Sequence, residues 1–260
     1  MANEDKPAGI FIWPELSLCI PEWSLIIDER GHVQTQGISL KFKFDTVPVW
    51  LHLAYEHLIK AEEKRRELIH VWQLPDEKAK TRALNAEFYS AVQVCTASAI
   101  ALDGFYGSIA PGAKIPEDLR RKWRENRTPR YGQVAETFRR AFRFSNHDAK
   151  ETKRALQPVY SIRDQAVHPN ADYHDPVYRP DLKVGVPWCF AQYSFDPARA
   201  VALLALSMIT KLTRLPTRKD EIAEYCDLTQ ERIKPVVERW EARYGPLFPE
   251  RQTPEPDQHE

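Results

Sequence analysis

Apolar residues recur at three- and four-residue intervals through two long consecutive segments, and this feature commits much of the chain to packed helices. In the first, Trp50, Leu53, Ala54, His57, Leu58, Ala61, Leu68, Ile69 and Trp72 mark one face. The charged run EEKRR (62–66) occupies the other, and Pro75 ends the segment. The second starts near Asp76 and runs to about Ile109, closed by Pro111-Gly112, with Phe88, Val92, Cys95, Ala99, Leu102 and Tyr106 as its stripe. Stripes of that length need other helices to cover them. The sequence offers a shorter helix over Tyr131–Phe144, another over His147–His168 containing Pro158, and a closing helix over Asp196–Leu212 after a loop from Pro169 to Pro197.

Ahead of the helices the period changes to two. Ile38, Leu40, Phe42 and Phe44 alternate with Ser39, Lys41 and Lys43, and Asp28–His32 reads as a turn, so residues 24–44 predict a small antiparallel sheet. The expected organisation is mainly α: an N-terminal β extension over 1–46, a helical bundle over 47–215, a C-terminal helical hairpin over 216–246, and a disordered acidic tail over 247–260.

Lys plus Arg and Asp plus Glu both number 37, so attraction to a polyanion must come from local asymmetry. Between Arg120 and Arg154 there are twelve Arg or Lys against four acids (Glu125, Glu136, Asp148, Glu151). Within that stretch Arg140, Arg143, His147 and Arg154 are candidate RNA-backbone contacts, and Trp123, Tyr131 and Phe144 are candidate stacking rings. A solvated basic face over partly buried aromatics is the alternative. Cys19, Cys95, Cys189 and Cys226 lie far apart, which argues against both disulfide staples and a zinc site, and no metal or cofactor is expected. The polar, acidic N-terminus is unlike a signal peptide, and the best apolar run, AVALLALSMI, is shorter than the roughly 20 residues a membrane helix needs. A cytoplasmic protein without membrane contact is expected.

The stretch SIRDQAVHPN (161–170) carries the most chemistry. On a helical wheel Val159, Ile162 and Ala166 share the apolar side, Asp164 and His168 fall on the opposite side, and Arg163 stands at the edge. Pro169 disfavours helical geometry at His168, which places the imidazole at the helix C-terminus among free carbonyls. Such a histidine can exchange protons near neutral pH. Spacing alone decides little, because Arg65–His70 also has four residues between and Arg140–His147 has six. Two other histidines read differently: His57 as a hydrogen-bonded core residue, and His174 as a group that could approach from the loop.

Arg163, Asp164 and His168, followed by Pro169, resemble the motif of the HEPN superfamily, helical bundles whose ribonuclease members carry an arginine, four to six residues and a histidine. The segment Ala101-Leu-Asp-Gly-Phe105 is similar to the corresponding helix of that family, with Asp103 in place of the commoner glutamate. The resemblance covers about Val47 to Leu212. It implies a metal-independent endoribonuclease whose site forms across a homodimer, with a toxin or antiviral role and a protein antitoxin as a possible partner. In that scheme Arg163 holds phosphate oxygens, His168 is the acid or base, and Asp164 orients one of them. The rival reading on the same fold is a bundle that binds RNA, a nucleotide or a protein without cutting.

Residues 216–240, PTRKDEIAEYCDLTQERIKPVVERW, resemble a helix-turn-helix, with Ile222 and Ala223 in a first helix, Leu228 in the turn, and Ile233 and Val236 in a second. This makes a DNA-binding regulator the third reading. Asp227 stands where the turn usually has glycine, and Pro235 interrupts the second helix.

Overall fold

The computed structural model describes residues 16–20, 24–27, 30–35, 40–168 and 173–248. Ile38 of the expected strand, Pro169 after the motif, and the acidic tail from residue 249 lie outside them. The chain divides into two compact units, Met1–Thr46 and Val47–Glu260.

Among the described residues the first unit carries two antiparallel ladders. β1 (Leu16–Cys19) pairs with β4 (Lys41–Phe44), placing Leu18 opposite Phe42, and β2 (Leu25–Ile27) pairs with β3 (Val33–Thr35). The turn before β3 carries Gly31 at φ 78°, a backbone conformation that favours glycine.

The second unit is mainly helical. α1 (Val47–Trp72) and α2 (Glu77–Ile109) run against each other along much of their length. The start of α2 is fixed by Asp76, whose carboxylate accepts from Ala79 N at 3.0 Å. α1 buries Val47, Leu51, Ala54, Tyr55, Leu58, Ala61 and Leu68, whereas Leu53 and Ile69 of the expected stripe are exposed. The face is turned because α1 packs on α2, on α7 (Phe195–Leu212) and on α8 (Asp220–Tyr244) together, and the stripe centres on the line they share. α2 is the central helix, in contact with α1, α4 (Arg130–Ala141), α5 (Asn146–Val167), α7 and α8, so Ala91, Val94, Cys95, Ala97, Ser98, Ala101 and Phe105 are buried as well. Its small residues let neighbouring helices approach from several sides. His57 is only half-buried on α1 and its imidazole makes no hydrogen bond among the described residues, unlike the core role expected of it.

α3 (Glu117–Glu125) is a short surface helix that the apolar periodicity did not reveal, since it buries no residue fully. α4 (Arg130–Ala141) ends earlier than expected. Phe142 turns extended and bridges Thr217, and Ser145 opens α5 (Asn146–Val167) with a capping box to Asp148. The expected loop over 169–197 is structured from residue 177. It contains a hairpin, β5 (Val177–Arg179) with β6 (Val184–Val186), then α6 (Trp188–Gln192), before α7 (Phe195–Leu212). A buried ion pair fixes it: Arg179 donates to Glu87 of α2 at 2.8 Å and to Asp181 at 2.6 Å, and Glu87 also accepts from Phe195 N at 3.0 Å.

The expected C-terminal hairpin is instead one helix, α8 (Asp220–Tyr244). Ile222, Cys226, Thr229, Ile233, Val236 and Trp240 form one uninterrupted buried stripe, which a turn at Leu228 would break. Asp227 supplies no left-handed turn, and Pro235 is exposed, on the side of the helix away from the core. No helix among the described residues is long and apolar enough to cross a membrane. Cys95 and Cys226 are buried free thiols, both pushed by burial to about 12.

Candidate active site at the end of α5

The C-terminal half of α5 is anchored by Leu156, Val159 and Tyr160, which are buried against the core. This registers the rest of the helix. Asp164 and His168 are exposed, and Arg163 is intermediate, at the edge of the packed face. His168 caps the helix at φ −128° and ψ 71°, its backbone N–H donating to Asp164 O at 2.7 Å. Its ring stands clear of the core.

Arg163 is held from two sides. Its Nη1 lies 3.9 Å from Asp103 Oδ2 on α2, and its guanidinium carbon lies 5.4 Å from the centre of the Tyr160 ring. Asp164 Oδ1 comes within 2.9 Å of Arg163 Nε, but the N–H is not directed at that oxygen, so the contact is ionic and Nε is buried without a hydrogen bond.

Asp103 is the hub. Its Oδ1 accepts from Arg130 Nε at 2.8 Å and from Tyr160 Oη at 3.1 Å. Arg130, the first residue of α4, lays its guanidinium carbon 4.2 Å from the centre of the Tyr106 ring. Burial and then the charge of Asp103 push the Tyr160 hydroxyl well above its ordinary range, so it stays a donor to that carboxylate. The result is an electrically balanced layer of two arginines and two carboxylates, in which Arg163 is partly exposed, with His168 exposed at the cap of the same helix.

The basic residues read from the sequence do not converge on this layer. Arg143 and His147 are exposed at the other end of α5, about 30 Å along the helix from His168 at 1.5 Å per residue. Arg140 is engaged by Glu136 at 2.7 Å and Arg154 by Glu151 at 2.6 Å. Arg130 is the cation nearest in connectivity to Arg163, and the sequence reading passed over it. Asp103, already singled out within Ala101–Phe105, was the signal that could have led there, since a half-buried carboxylate needs a cationic partner. His174 meets Trp188 edge-on at 5.3 Å between ring centres, and among the described residues no hydrogen bond, ion pair or ring contact joins it to this layer. Among the described residues no three His, Cys, Asp or Glu side chains are grouped so as to hold a metal ion.

An open apolar depression of about 530 Å³ lies beside the motif, lined by Pro158, Ile162, Val177, Trp188 and neighbours. Val167, Val177 and Tyr178 are exposed in the same part of the molecule. Comparison with protein-family models, with the curated proteins and with solved structures finds no match to the chain.

Proposed function

We propose that this chain is a HEPN-type endoribonuclease that cuts RNA without a metal, through attack of the substrate's own 2′-hydroxyl. In the reaction the 2′-oxygen forms a bond to phosphorus and the phosphorus–5′-oxygen bond breaks, leaving a 2′,3′-cyclic phosphate and a 5′-hydroxyl. One proton must leave the 2′-oxygen and one must reach the 5′-oxygen. His168 is the group for either transfer, and a second copy of the chain supplies the other imidazole. Arg163 presents its guanidinium to the phosphate oxygens, and Asp164 and Asp103 position it.

The observation that carries this reading is the pairing at the end of α5: an arginine anchored from α2 by Asp103, with an exposed histidine at the helix cap. The apolar depression beside Ile162 and Trp188 suits burial against a second copy, because exposed apolar ground next to a half-site is what self-association covers. A cytoplasmic toxin or antiviral nuclease, the former restrained by a protein antitoxin, is the setting this reading implies.

Labelled RNA incubated with purified protein in EDTA tests it. Cleavage that falls by about 10²–10⁴ in His168→Ala, with the far-UV spectrum unchanged, is the expected result. RNA that is bound but not cut by the wild type supports the second reading, a non-cutting RNA-binding bundle. That reading is favoured by one specific observation, the double acidic engagement of Arg163. The DNA-binding reading loses its structural basis, since α8 offers no second helix set across a turn.

A further inference from the structure

A separate cleft of about 260 Å³ opens where the C-terminal part of α2, the surface helix α3 and the start of α4 meet. Tyr106, Arg120, Trp123, Arg124 and Gln133 line it. α3 leans on the core through the half-buried Leu119 and Trp123, which leaves its basic residues in solvent. Arg124 is paired with Glu117 at 2.9 Å, while Arg120 has no acidic partner among the described residues. Gln133 spends its amide N–H on Thr128 O at 2.8 Å, so its carbonyl oxygen remains an acceptor.

This cleft is joined to the motif through side-chain contacts. Tyr106 carries the Arg130 guanidinium, Arg130 donates to Asp103, and Asp103 attracts Arg163. An aromatic lining, an unneutralised guanidinium and an amide acceptor are the elements a single nucleotide uses: a ring to stack its base, a cation for its phosphate, and an acceptor for a base amino group. Bases within a duplex keep their faces stacked on each other, so such a lining addresses a single strand.

We propose that the cleft at Tyr106 and Trp123 binds a nucleotide of single-stranded RNA that flanks the phosphodiester held by Arg163 and His168. The inference rests on the nuclease reading for what lies at the motif, and it adds a subsite on α3 that sets where along the strand the cut falls.

The test uses full-length protein and fluorescent single-stranded RNA oligonucleotides, with binding read by anisotropy in the His168→Ala background so that no turnover intervenes. Trp123→Ala is expected to weaken binding about tenfold, with Trp123→Phe retaining most of the affinity. Arg120→Ala, a change at an exposed residue that leaves the core alone, is expected to weaken binding and to lower the slope of log affinity against log salt by about 0.7. An abasic substitution at one RNA position is expected to abolish the Trp123→Ala effect. Binding within about twofold of the parent for both Trp123→Ala and Arg120→Ala, with no abasic position that matters, overturns the subsite. If the wild type still cuts, only the subsite fails. If Trp123-dependent binding appears with no cutting by the wild type, the subsite stands and the nuclease reading fails, and if RNA is neither bound nor cut, both fail.

Discussion

Arg163 lies 3.9 Å from Asp103, a carboxylate on another helix that Arg130 and Tyr160 hold by hydrogen bonds at the same time. The acid is therefore shared between the α2–α4–α5 packing and the candidate site. Removing it leaves the half-buried Arg130 without its acceptor, so Asp103→Ala is expected to cost about 1–3 kcal/mol in urea denaturation. Asp164→Ala removes only an exposed partner and is expected to stay within about 0.5 kcal/mol of the wild type. On the proposed nuclease reading Asp103→Asn, which keeps the shape and loses the charge, is expected to lower kcat for RNA cleavage more than it raises KM, because it misplaces the guanidinium without deleting it. Equal stability of the two alanine variants would contradict the hub role.

The link between Glu87 and Arg179 yields a larger stability effect. Both side chains are at most 5 % exposed, and Glu87 also receives the first backbone N–H of α7. Breaking the pair from one side leaves a buried charge, and Arg179→Met is expected to cost about 3–5 kcal/mol. Glu87→Leu combined with Arg179→Met is expected to recover a substantial part of that loss, read as a non-additive double-variant cycle in denaturant.

Acid sensitivity follows from the same cluster. Burial pushes the Asp181 carboxyl up, but the hydrogen bonds and charge of Arg179 and the charge of Arg65 outweigh it and hold it below the usual 3.8. A carboxyl depressed in the folded state stabilises the fold fully above its unfolded value and loses that contribution as pH falls through the folded one. Asp181→Asn is therefore expected to be less stable than the wild type at neutral pH and to show a shallower loss of stability below pH 3.8. Parallel acid limbs in the two proteins would contradict this.

Helices that bury one continuous face were legible in the sequence, because 3.6-residue periodicity is itself the record of that burial. α1, α2, α5 and α7 fall close to their expected limits for this reason. α3 carries five basic or aromatic residues among nine and buries none fully, so it leaves no such record. The hairpin at Arg179 was hidden for another reason: what orders it is a carboxylate 92 residues away, and a pairing at that separation has no local signal. At the candidate site the motif on α5 was readable, since both residues share one helix. In the Asp103–Arg130 half the carboxylate signalled a need for a cation, but which cation answers it depends on how α4 is laid against α2.

α8 shows how one apolar stripe can support two readings. Ile222, Cys226, Ile233 and Val236 satisfy the spacing of two short helices around a turn as well as that of one long helix. The two arrangements place opposite demands on Asp227 and Leu228. A turn would favour glycine at 227 and would bury Leu228, whereas in the continuous helix glycine loses backbone entropy and Leu228 is 43 % exposed. Asp227→Gly is expected to destabilise the protein by about 0.5–1 kcal/mol, and Leu228→Ala to stay within about 1 kcal/mol. Ile233→Ala, at a fully packed position on the same stripe, is expected to cost about 2–5 kcal/mol. Chemical denaturation of the three variants decides the matter, and a stabilising Asp227→Gly together with a severe Leu228→Ala would restore the turn.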